Sequence, residues 1–513
     1  MDAPVPLIAV ALLAAAALVV PSSRWRAAAM LGALAIAPVI LIFHISSTDQ
    51  FKTLTDRPSL AAAAGAAAVV AVVLLALAIR RWPSVLPVLA VGTLPFRVPI
   101  AVGGSTANLL VPLYGVVAAG VLAYAVPRAF AAESEVSRRR AGPLEWALAA
   151  FLALYAVQAA YSIDFDRALE NVVFFYVPFA LLFVLISRIA WTRRLTVACM
   201  AVLVVLALAF AGIGFVEYAT RHLFLNPKVI ASNQLQDYFR VNSLFFDPNI
   251  YGRFLAIVMV LLVAWMIWAK RTRDVIVVAA VLAVLWGGLV LTLSQSSFAA
   301  LLVGLAVLGG MRWSAKKAAA LAAVVVLVGV AFVAVAPGAI RLDLGDSKSA
   351  NSATSGRYDL ISGGVGLFAD KPVQGWGSGS FPRQYRRHEH VSAERATSAS
   401  HTIPITVAAE QGALGLIAYL AVLACALWRL FRGARTLPAR AGVAAAFAAL
   451  LAHTMLYASF LEDPMTWMLL AVGTALAVAG RTRKATVAAP DTARAPEEPA
   501  PTPVRTQAPV TKA

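Results

Sequence analysis

The residues best suited to chemistry in this sequence are arginines and one histidine in polar, glycine- or proline-punctuated segments. Arg240 leads into Val-Asn-Ser-Leu-Phe-Phe and then Asp247-Pro248-Asn249, and Arg357 closes Ser355-Gly356-Arg357. A guanidinium keeps its charge at every physiological pH and can grip phosphate oxygens with parallel N–H donors. Contact with lipid headgroups would account for the same arginines without catalysis. His401 stands at the mouth of an apolar run, where an imidazole can take a proton from a hydroxyl or simply open a helix. Arg383, Arg386 and Arg387 follow Gly375-Trp-Gly377-Ser-Gly379-Ser-Phe381 and form a second patch for anions. The glycines permit positive φ and close approach of a ligand, and a tight surface turn would use them equally. No Gly-Lys-Ser/Thr accompanies them, which argues against a nucleotide site.

Other polar residues support weaker expectations. Asp164-Phe-Asp166 is an acidic pair of a kind that binds divalent metal in some glycosyl-transfer sites; acids opening a helix explain it as well, and no metal or other cofactor is expected. His453 lies near the middle of an apolar run, where a hydrogen bond between helices and a proton relay are both open. Cys199 and Cys425 sit in apolar runs and read as small buried residues.

The elements that must position these residues are membrane helices. The 513 residues are 61% hydrophobic and 13% charged, with a mean hydropathy of +0.80. That excludes an ordinary soluble enzyme, a disordered chain and a disulfide scaffold. A span takes about 20 apolar residues, and fifteen runs qualify as whole or partial spans. The run 84–96 is interrupted by Pro87 and Pro95 and reads as bent or partial. No basic segment precedes the first run, so no secretory signal is expected.

The net charge of +18 would suggest nucleic acid in a soluble chain; here topology accounts for it and no nucleic-acid partner is expected. One alternating set of connections carries 21 Lys and Arg, the other eight outside its long loop. The positive-inside rule makes the first set cytoplasmic. Four regions follow: a bundle over 1–336, a long extracytoplasmic loop over 337–403, further spans over 404–480, and a disordered cytoplasmic tail over 481–513, rich in Ala, Pro and Thr. The protein is expected to be multi-pass in the plasma (inner) membrane. No internal repeat is visible.

Three segments together resemble the O-antigen ligase and polymerase superfamily. Arg240 through Pro248-Asn249 resembles that family's signature before a span. Ser355-Gly-Arg357, Pro372 and the glycines to Phe381 resemble its long outer loop. Ser400-His401, then Glu410-x-Gly412-x-x-Gly415, resembles its closing motif, with Thr402 where the family commonly has Asn. The likeness is sharpest over about 237–417.

The resemblance implies an all-α, GT-C-like polytopic bundle of about 12–15 spans. It further implies inverting, metal-independent transfer of a glycan from an undecaprenyl-diphosphate-type carrier to a glycan, lipid or protein acceptor at the outer face. Arg240, Arg357 and His401 would be catalytic, and Asn249, Arg383, Arg386 and Arg387 would bind substrate. Glu410 lies nine residues after His401, about two and a half turns of helix, and so reads as structural rather than as its partner. Gly412 and Gly415 are expected to let helices pack closely. A transporter or flippase for a lipid-linked precursor is the competing class. It would show internal repeats and mid-depth ionisable residues.

Overall fold

The computed structural model describes residues 4–46, 56–102, 105–131, 140–225, 230, 233, 239–313, 316, 357–390 and 402–488. The chain is an all-α polytopic membrane bundle, and nine helices among the described residues are long and apolar enough to cross a bilayer. The helices are α1 (Pro4–Val19), α2 (Ser23–Ile45), α3 (Pro58–Arg81), α4 (Val85–Thr93), α5 (Val111–Phe130), α6 (Pro143–Ala159), α7 (Phe165–Glu170) and α8 (Val177–Ile186). They continue with α9 (Arg193–Thr220), α10 (Pro248–Ile267), α11 (Thr272–Thr292), α12 (Gln295–Arg312), α13 (Arg357–Asp370), α14 (Phe381–Glu389), α15 (Ile403–Phe431), α16 (Pro438–Thr454) and α17 (Pro464–Ala488). Every apolar run read from the sequence over described residues falls on one of them; the run 318–336 lies outside those residues.

The run 84–96 is shorter than a span. It forms only the nine residues of α4, and the chain then pairs as an antiparallel hairpin, β1 (Val98–Val102) with β2 (Ser105–Leu109), in register Val98↔Leu109. The all-α reading thus holds apart from this hairpin. A π-helical turn over Asn171–Tyr176 joins α7 to α8. The long loop carries two helices of its own, α13 and α14, and α17 runs on to Ala488, past residue 481 where the tail was expected to begin.

Packing separates centre from periphery. The segment Phe165–Ile186 has 89% of its apolar window buried, against 11% for α3 and 22% for α11. Apolar residues all round a helix are stable in lipid, so α3 and α11 present Leu74, Val69, Ile276 and Val277 outward at no hydrophobic cost. Among the inner helices α12 packs on α16 and α10, while α6 packs on α1 and α15. Gly252 makes the α10–α12 approach possible: a Cβ there would lie 2.6 Å from Ser297 Oγ.

Candidate active site at one end of the bundle

The start of α10, the end of α11, the start of α12 and the end of α16 meet at one end of the bundle, opposite the basic connections 270–273 and 432–440. Asp247 caps α10, its Oδ1 accepting the Asn249 N–H at 2.6 Å, with Pro248 at the first helical position. Leu293 takes a left-handed conformation that ends α11, and Ser294 at once caps α12. This abrupt turn leaves the last carbonyls of α11 facing Arg240. Leu291 O accepts the Val241 N–H at 3.2 Å, and Thr292 O accepts from Arg240 Nε at 3.0 Å. The negative end of a helix dipole is a favourable place for a guanidinium.

A polar network extends from this contact. Arg240 Nη2 donates to Asn249 Oδ1 at 3.2 Å, Ser294 Oγ donates to the same oxygen at 2.9 Å, and Asn233 brackets the Arg240 backbone through both its amide atoms. Ser296 and Ser297 lie 3.2 and 3.4 Å from His453 Nε2. His453 therefore bridges helices rather than standing alone in lipid. Tyr457, beside the His453 ring, donates to Asp247 Oδ2 at 2.6 Å. Burial, and then the Asp247 carboxylate, push the Tyr457 phenol up from its ordinary value, so it serves as a donor.

A second layer lies beneath. Arg253, one helical turn after Asn249, is fully buried, pairs with Asp463 and donates to Ser459 O at 3.0 Å. Arg97 belongs to the same electrostatic group. Burial pulls it down from its ordinary value, Asp463 opposes that shift and Arg253 adds to it. Leu94, Pro95, Phe245, Ile250, Phe254 and Met465 wall the crevice between Arg97 and Asp463.

A separate unit forms where the segment between α13 and α14 meets α15. Glu410 accepts the N–H of Gly379 at 2.9 Å and of Phe381 at 3.0 Å, satisfying the amides at the start of α14. Its own carbonyl accepts from Gly377 N at 2.8 Å. Gly412 has φ +64° and breaks α15 just beyond. A Cβ on Gly412 would collide with Val373 O, and one on Gly375 (φ +68°) with Glu410 O. Gly412 therefore serves a backbone crossing rather than the helix packing expected of it. Gln158 donates to Gln374 O and Gln411 O at 3.1 Å each, and Ser378 donates to Tyr155 O at 2.8 Å, fastening the loop to α6.

The residues singled out from sequence fall as follows. Arg240 and Asn249 are in contact. Arg357 opens α13, and His401 lies outside the described residues; its neighbour Thr402 donates to Met455 O at 3.3 Å, on the turn that carries Tyr457. Arg383 pairs with Asp164 at 3.1 Å and donates to Ile163 O at 2.7 Å. Arg387 is exposed and Arg386 half-buried on α14. Burial pushes the Asp164 carboxyl up, against the pull of Arg383. The acidic pair is divided: Asp166 lies 4.0 Å from His44. Among the described residues no three His, Cys, Asp or Glu cluster to hold a metal.

Sequence reading missed Arg97, Arg253, Asp463 and Tyr457. Arg253 was legible, being a charge inside an apolar run four residues after Asn249. Asp463 reads locally as a helix cap, and indeed accepts from Met465 N at 2.8 Å; its pairing with Arg253 is set only by tertiary structure.

Fold and site together define a multi-pass membrane protein with an arginine-lined polar site at one end. Residues 280–420 match the family model described as O-Antigen ligase, which supports the O-antigen ligase/polymerase superfamily and with it a glycan-transfer activity. The match runs from within α11 to the middle of α15; Arg240 and Asn249 precede it. No curated protein matches the chain.

Proposed function

We propose that this protein transfers a glycan from a lipid-diphosphate carrier to an acceptor hydroxyl at the extracytoplasmic end of the bundle. The observation that carries this reading is the guanidinium of Arg240, held by Thr292 O and Asn249 Oδ1 at the bundle's end. Those two bonds fix its plane and engage only part of its donor set, so the remainder can meet an anion without reorganisation.

In the proposed step, the acceptor oxygen bonds to the anomeric carbon from the side opposite the diphosphate, and the carbon–oxygen bond to the diphosphate breaks with inversion. Negative charge grows on the leaving diphosphate, and Arg240 and Arg357 stabilise it. His401 takes the hydroxyl proton. Asn249 holds Arg240, and Arg383, Arg386 and Arg387 line the rim where the donor approaches. The step uses no metal. Ligation and polymerisation differ only in the acceptor.

The test is the lipid-linked glycan pool of a strain lacking this protein, rescued with wild type, Arg240→Ala or His401→Ala. Failed rescue by both variants, with glycan accumulating on the carrier, is the expected result. Single units on the carrier indicate polymerisation and full-length polymer indicates ligation. Full rescue by both variants would overturn the assignment.

A further inference from the structure

Where the loop between α13 and α14 joins α15, the side chain that makes the junction is a buried carboxylate. Glu410 is 7% exposed, and both its oxygens are spent on backbone N–H groups of the loop, those of Gly379 and Phe381. The loop is fastened again three and four residues later, where Ala413 N donates to Pro372 O at 2.7 Å and Leu414 N to Val373 O at 3.4 Å. α13 packs against both α14 and α15. Trp376 donates to Leu367 O at 2.8 Å, which ties the loop to the end of α13. α13 begins at Arg357, α14 carries Arg383, Arg386 and Arg387, and α15 begins directly after Thr402. The Glu410 side chain thus ties α15 to the start of α14, which carries Arg383, Arg386 and Arg387, beside α13, which begins at Arg357. A carboxylate at a helix start also neutralises the positive end of the α14 dipole. Without it, two buried amides would face each other's charge with no acceptor.

We propose that Glu410 is a positioning residue for glycan transfer: by clamping the start of α14 to the break in α15, it holds the cations of α13 and α14 in register with the α15 entrance. This rests on the function proposed above. Glu410 touches no substrate, and its effect passes through the loop.

The test uses full-length protein with Cys199 and Cys425 replaced by Ala and a cysteine pair introduced by Val373→Cys and Leu414→Cys. Both positions are exposed and flank the clamp. Disulfide formation on mild oxidation reports the clamp without any activity assay. The pair is expected to close quickly with Glu410 present and at least tenfold more slowly after Glu410→Gln, with Glu410→Asp intermediate. In transfer assays Glu410→Gln is expected to lower kcat at least tenfold with little change in donor KM. The closed disulfide should restore kcat to within threefold of wild type, and reduction should abolish the rescue. Equal closing rates with and without Glu410, or a kcat loss that the closed disulfide leaves untouched, would overturn the proposal. Absence of transfer even in wild type, with the difference in closing rates intact, would instead overturn the proposed function and leave the clamp standing.

Discussion

Two buried carboxylates, Glu217 and Glu410, each hold a loop by its backbone amides, and they do it differently. Glu217, near the end of α9, accepts from Phe224 N at 3.3 Å, Asn242 N at 3.2 Å and Ser243 N at 2.7 Å. It thereby shapes the segment just after Arg240, where Ser243 is held at φ +51°. The Glu410 loop instead relies on glycines at its positive-φ positions and is fastened to α6 and α15 together. Arg240 is fixed at both its backbone and its guanidinium. The α14 arginines lie nearer solvent: Arg383 is held by Asp164 and Ile163 O but is itself exposed, and so is Arg387. The first region presents a preorganised cation, suited to stabilising charge in a transition state. The second presents a docked cationic helix, suited to gathering a substrate.

Changes in the first region should therefore cost the most. Arg240→Ala is expected to lower the transfer rate by about 100- to 1,000-fold, the usual effect of removing one preorganised donor. Arg240→Lys should recover little of that, because an ammonium cannot bond Thr292 O and Asn249 with one rigid fork. Initial rates with purified protein decide both. Glu217→Ala leaves two buried amides, those of Asn242 and Ser243, without their acceptor and should destabilise by about 1–3 kcal/mol for each that stays unsatisfied. Thermal unfolding in detergent checks it, and an unchanged midpoint would remove Glu217 from this role.

Smaller effects sharpen the contrast. Gly252→Ala places a methyl against Ser297 and should cost about 1–3 kcal/mol by overpacking, with a drop in transfer as Ser294 and Asn249 shift. Asp164→Asn should change stability at neutral pH by less than about 1 kcal/mol, since its partner Arg383 is well exposed. The sign with pH is also set. The folded carboxyl is raised, so its contribution is greatest below the unfolded value and is lost as pH rises through the folded one. Unfolding midpoints measured from pH 4 to 7 should show that decline in wild type and a flatter profile in Asp164→Asn.

The helices were legible because apolar length in a lipid setting leaves the backbone few alternatives. Arg240 before α10 and Asn249 in its first turn were legible because the segment Arg240 to Asn249 directly precedes and opens an apolar run, a purely local signal. Nonlocal features were hidden. Nothing near Gln158 in sequence announces that its amide meets Gln374 O and Gln411 O. Gly412 reads as a packing glycine because its helical neighbours on both sides are sound; only the crossing of Val373 explains its positive φ. Arg97 follows a proline-interrupted run, and its approach to Asp463 depends on α4 ending early.

The most direct test of the account is a reconstituted assay with purified protein, a lipid-diphosphate-linked glycan and an acceptor, run with wild type and Arg240→Ala in the presence of a chelator. The account predicts one lipid diphosphate released for each glycan transferred by wild type, inverted stereochemistry at the new bond, and loss of both products in Arg240→Ala. Wild-type rates in Arg240→Ala, or movement of the intact lipid-linked glycan across the bilayer without bond cleavage, would contradict it.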